Sequence, residues 1–161
     1  MPRVFISYVH ESAEAKDQVR ALADRLRADG VDAHLDQYEV PPPPSWPRWM
    51  MNQIETADHV LVVCSEAYAR RLRGEEEAGR GLGSRWEGGM ILQGLYEGER
   101  PDKYIPVVLR REDRPHIPIV MRSSQYYDVS RPDSYEALFR RITGQLASDR
   151  PELAPLRTGP R

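Results

Sequence analysis

Ser7, Tyr8 and His10 follow directly on an alternating apolar run in "RVFISYVHES", which begins at Arg3. A hydroxyl, a phenol and an imidazole set this closely can each donate and accept hydrogen bonds, and together they suit the capture of a polar ligand. A carboxylate, Asp36, closes a second alternation in "VDAHLD", and Cys64 and Ser65 close a third run, "ADHVLVVCS". Other chemistries find no support. The four histidines are scattered without metal-ligand spacing and there is one cysteine, so no metal site is expected. No G-x-G-x-x-G follows the first strand, and there is neither a Walker motif nor a G-x-S-x-G elbow. "GRGLGS" is glycine-rich, but it follows a broken helix rather than a strand. A receiver-type phosphorylation domain wants an acidic pair after its first strand, where this chain has Ser-Tyr.

The elements that must position these groups alternate. A first strand is expected over residues 3–8, then a helix capped by Ser12 with Val19, Leu22, Ala23 and Leu26 on one stripe and Gly30 at its end. A second strand follows over residues 31–36, with Val31, Ala33 and Leu35 on its more buried face. Four prolines, Pro41 to Pro44, force an extended loop, after which Ser45 caps a short helix bearing Trp46, Trp49, Met50 and Ile54. The spacing of Trp46 and Trp49 also fits two core residues. The continuous apolar run from His59 to Cys64 reads as a strand buried on both faces. After a short helical turn comes a Gly- and charge-rich loop over residues 74–83, then a helix from about Ser84 through Trp86, Met90, Ile91 and Leu95.

"YIPVVL" is a further buried strand, and a short strand is expected over residues 126–129. Asp133 and Glu136 have capping-box spacing at the start of a last helix, which carries Tyr135, Leu138, Phe139, Ile142 and Leu146 on one face. Strict alternation with continuous apolar strands implies an α/β fold, a parallel sheet covered by helices on both faces. Ligands of such sheets gather at the C-terminal strand ends, so Ser7, Tyr8, Asp36, Cys64 and Ser65 should share one edge.

The 161 residues fit one domain, and a formal net charge of −2 leaves no basic field for nucleic acid or an anionic membrane. Apolar runs are strand-sized, far short of the roughly 20 residues of a membrane helix. With no secretion signal apparent, a soluble cytoplasmic domain is expected.

The motifs F-I-S-Y, L-D-Q at the end of the second strand, A-D-x-V-L-V-V-C-S, and G-x-G-x-x-W-E before the following helix occur in this order and spacing. Together they resemble the SEFIR domain, a relative of the TIR domain, over roughly residues 2–147. The resemblance implies a flavodoxin-like sheet of five parallel strands in one domain, residues 1–148, with residues 149–161 a tail or linker. It implies two functions. Many members of the superfamily are assembly modules that pair with another copy of the domain in signalling. Others, bacterial members among them, cleave NAD at the nicotinamide–ribose bond, with a catalytic glutamate on the helix after strand three.

On the enzymatic reading the matching carboxylate is Glu87, in "RWEGGM", and NAD is a substrate, with no cofactor required. One carboxylate suffices: nicotinamide leaves from NAD as a neutral molecule without being protonated, and the carboxylate stabilises the oxocarbenium-like ribose. Tyr8 would stack on a ring of the substrate, Ser7 and His10 would offer hydrogen bonds, Asp36 would form the opposite wall, and Trp46 and Trp86 would cover the pocket. The resemblance places such a protein in bacterial antiphage defence or immune-type signalling. The alternatives are an adaptor that self-associates through the proline loop and a module that binds a nucleotide without turnover.

Overall fold

The computed structural model describes residues 2–73, 101–122, 124–145 and 151–159. Five strands form one sheet: β1 (Arg3–Ser7), β2 (Asp32–His34), β3 (His59–Val63), β4 (Tyr104–Val108) and β5 (Tyr127–Asp128). Their order across the sheet is β2-β1-β3-β4-β5, and every neighbouring pair is parallel. Parallel neighbours need crossover connections. Four helices are described: α1 (Ala13–Ala28), α2 (Trp46–Thr56), α3 (Glu66–Leu72) and α4 (Pro132–Thr143). The chain thus has the flavodoxin-like α/β architecture that its alternating pattern implies.

Two apolar layers sandwich the sheet. On one face Val4, Ile6 and Tyr8 pack with Leu61, Val63, Ile105 and Val107 against Val19, Leu22, Ala23 and Leu26 of α1 and Tyr135, Leu138 and Ile142 of α4. On the other, Phe5 and Val9 pack with Val60, Val62, Cys64, Tyr104 and Val108 against Ile54 of α2 and Tyr68 of α3. The split follows from the two-residue period of a strand buried on both sides.

Local signals in the sequence account for most element ends. Ser12 accepts a hydrogen bond from the Ala15 amide at 3.0 Å, capping α1. Past the C-terminus of α1 the backbone turns left-handed at Gly30, with φ of +94°, a conformation that costs glycine no steric clash. Ser65 caps α3 by accepting from the Tyr68 amide at 3.1 Å. Tyr135 then ties α4 to the end of α1: its hydroxyl donates to Asp29 Oδ2 at 2.7 Å and the Arg25 guanidinium lies 3.5 Å over its ring.

Two expectations need correction. Asp133 and Glu136 form no capping box. Pro132, preset for a first helical turn, starts α4 two residues earlier, so Arg131 is the cap residue and Asp133 is already helical, pairing with Arg131 at 3.0 Å. The second strand is also shorter than its alternation suggests, because at Asp36 the chain turns into a 3-10 turn, Asp36–Tyr38. The glycine-rich loop and the helix expected near Ser84, like Leu146, lie outside the described residues.

Leu26 is 0 % exposed between α1 and the sheet. Leu26→Ala should cost about 2–5 kcal/mol of unfolding free energy. Urea denaturation followed by circular dichroism measures it; a loss under about 1 kcal/mol would contradict this packing.

Candidate functional site

The strand order reverses between β1 and β3: from β1 the chain goes outward to β2, then returns to the other side for β3. At such a switch point the loops leaving the C-terminal strand ends diverge and open a crevice. The segments that leave the two strands at this point are residues 8–11 after β1 and residues 64–65 after β3. The loop from Leu35 lies beside the first of them.

Because β1 is buried on both faces, its last residues point to opposite sides. Ser7 is 1 % exposed, and its hydroxyl lies 2.7 Å from the Tyr68 hydroxyl of α3. Tyr8 points the other way, and its hydroxyl donates to Asp36 Oδ1 at 2.9 Å. His10 Nε2 lies 2.6 Å from Asp36 Oδ2, and its ring stacks on that of Tyr8 with centroids 4.7 Å apart. Gln37 completes the group, its side-chain amide donating to the Tyr8 hydroxyl at 2.8 Å and to the Lys16 carbonyl of α1 at 3.0 Å. Tyr8 is buried, Asp36 is mostly covered, and His10, at 49 %, is the member that faces solvent.

The structure therefore brings Tyr8, His10 and Asp36 together and separates Ser7 from them. It also changes the geometry expected for two of these residues. Tyr8 is 5 % exposed and its ring is stacked on His10, which leaves no face for a substrate ring. Its visible task is to hold Asp36 and His10. Asp36 is not a wall opposite Tyr8 but its hydrogen-bond acceptor. Trp46 stands edge-on to Trp49 at 5.5 Å, and Trp49 edge-on to Phe5 at 5.7 Å, so the first turn of α2 is anchored to β1 by a chain of aromatic contacts. Trp86 and Glu87 lie outside the described residues.

Two groups were not singled out from sequence. Gln37 sits in the L-D-Q motif, and that motif was its available signal. On the other side of the β1 end, Glu11 lies in the field of Asp113, with Arg110, Glu66 and Arg71 further contributors. Asp113 is buried and accepts from Arg110 Nε at 3.3 Å. Burial first, and then repulsion from the Asp113 carboxylate, push the Glu11 carboxyl above its ordinary value, while Arg110 pulls it back. No spacing in the chain announces this pairing, since the partners are joined only by the fold. Cys64, at the end of β3, is wholly buried, and burial pushes its thiol up to about 12, which makes it an inert packing residue.

A carboxyl held above its unfolded value binds its proton more readily in the native state, so ionising it opposes folding. Below the ordinary value of 4.5 both states are protonated and the effect vanishes. Glu11→Gln should therefore raise stability at pH 7 and leave it unchanged near pH 3. Thermal unfolding of both proteins across that range checks the sign; a variant less stable at pH 7 would contradict it.

Comparison with known proteins agrees with the topology. A family model described as the TIR domain matches residues 4–143. Among solved structures, one described as the crystal structure of a prokaryotic SEFIR domain is similar at 30% sequence identity and a TM-score of 0.65, with 88% of this chain and 99% of that one covered. Curated proteins give no match.

Proposed function

The chain belongs to the TIR domain family in its SEFIR-like form, and on that premise we propose that it is an NAD glycohydrolase, cleaving the nicotinamide–ribose bond. The observation that carries this reading is the Tyr8–Asp36–His10–Gln37 network beside the switch point. A sheet edge given only to docking has no need of a carboxylate with both oxygens bonded, one of them to an imidazole held out to solvent. Such a pair suits a site that receives a polar, charged substrate. Resemblance proposes Glu87 as the carboxylate, with Trp86 its neighbour in sequence.

The chemistry asks little of the protein. The pyridinium of NAD departs as neutral nicotinamide when the C1′–N bond breaks with its electron pair going to the ring nitrogen. The positive charge then resides on the ribose, where a carboxylate is worth most because the transition state carries charge that the ground-state sugar lacks. In this reading Glu87 stabilises that charge, and Asp36 and His10 line the polar side of the site. Antiphage defence or immune-type signalling is the setting that the family resemblance favours.

A second reading is an adaptor that acts by homotypic association. The exposure of Val40, 85 %, beside Pro41–Pro44 favours it, since an apolar side chain standing in solvent beside a stiff run of prolines is a ready contact for another copy.

Nicotinamide release from NAD separates the two. Wild type should release it, and a folded Glu87→Gln should lose at least about a hundredfold in rate. Assays at low and high protein concentration, with light scattering alongside, show whether assembly gates the reaction. Self-association without release at any concentration would favour the adaptor.

A further inference from the structure

The hydrogen bonds around Tyr8 run in one direction, and a backbone group sets it. The Lys16 carbonyl can only accept, so the Gln37 group 3.0 Å from it is the amide nitrogen, which also donates to the Tyr8 hydroxyl at 2.8 Å. The phenol proton is thereby directed to Asp36 Oδ1, at 2.9 Å. The other carboxylate oxygen, Oδ2, accepts from His10 Nε2 at 2.6 Å. In the neutral imidazole the proton therefore sits on Nε2, and the lone pair is on Nδ1. Among the described residues Nδ1 has no hydrogen-bond partner, and the side chain is 49 % exposed. Stacking on Tyr8 fixes the ring plane. A base held in one tautomer and one orientation by a largely covered carboxylate is suited to taking a proton from a small hydroxylic molecule.

We infer that His10 is the general base that deprotonates the attacking water, with Asp36 its positioning residue. This rests on the glycohydrolase reading of the same site. The oxygen of water forms a bond to ribose C1′ as the C1′–N bond breaks. The bonding pair leaves with nicotinamide, and the water proton passes to His10 Nδ1, then to bulk solvent. NAD and water become ADP-ribose, nicotinamide and a proton. The assignment makes linear ADP-ribose the favoured product, because the base is dedicated to water.

Departure of nicotinamide and capture of the ribosyl cation are separable steps, and the test reads the second. A pyridine base competes with water for C1′ but brings no proton to remove, so its capture does not need His10. With NAD and a fixed excess of a substituted pyridine, wild type partitions between ADP-ribose and the exchanged dinucleotide. In His10→Gln the ratio of ADP-ribose to exchange product should fall about tenfold. Asp36→Asn should shift it in the same direction. Added imidazole should raise the ADP-ribose share of His10→Gln and leave that of wild type alone. A ratio unchanged in His10→Gln would overturn the assignment while leaving the glycohydrolase intact. A folded His10→Gln without any turnover would overturn it too, because His10 would then act in the departure step. A wild type that releases no nicotinamide would instead sink the glycohydrolase reading, and this inference with it.

Discussion

β1 is the constraint from which the rest of the structure follows. It lies between β2 and β3, is covered on both faces, and has no side that can tolerate a slipped register. Moving its pairing by one residue would turn Phe5 into the space of Val4 and Ile6 and carry Tyr8 to the opposite face. The same alternation that builds two cores decides what stands at the strand's end. Ser7 must go to α3 and Tyr8 to the loop after β2. The polar site is an extension of the packing of the strand, not an addition to it.

The network around Tyr8 shows why such an extension is stable. A phenol and a carboxylate that are largely removed from water are costly unless every donor and acceptor finds a partner. Here the amide of Gln37, the hydroxyl of Tyr8 and both oxygens of Asp36 are engaged, and the row ends on a helix carbonyl at one side and on a solvent-facing imidazole at the other. The imidazole is the most exposed member of the row. The acidic pair of Glu11 and Asp113 is less well matched, and the shift of the Glu11 carboxyl registers that mismatch.

Periodicity made the sheet legible. The runs 59–64 and 104–109 are apolar at nearly every position, residues 4–6 are apolar in succession, and Val19, Leu22, Ala23 and Leu26 mark the stripe of α1, so strands, helices and their order could be read directly. The site was legible as a set of strand ends but not as a geometry. That Tyr8 would be buried, and stacked on His10 rather than left open, depends on how far Asp36 and Gln37 return from β2, which no local pattern encodes. Gln37 was hidden because an amide at a strand end has many uses. The capping-box spacing of Asp133 and Glu136 misled because Pro132 competes for the same helix start, and its fixed φ wins.

The two strands at the margins of the sheet are its shortest, three residues in β2 and two in β5, and the run Pro41–Pro44 follows the first of them. Among the described residues, each margin offers only a short length of backbone on which a second chain could continue the ladder. Prolines, lacking the amide proton, cannot supply one. Margins this short disfavour the fusion of copies into a continuous cross-strand ribbon. Side-chain surfaces are left as the better ground for contact between copies, and contacts of that kind can be reversed without unravelling the sheet.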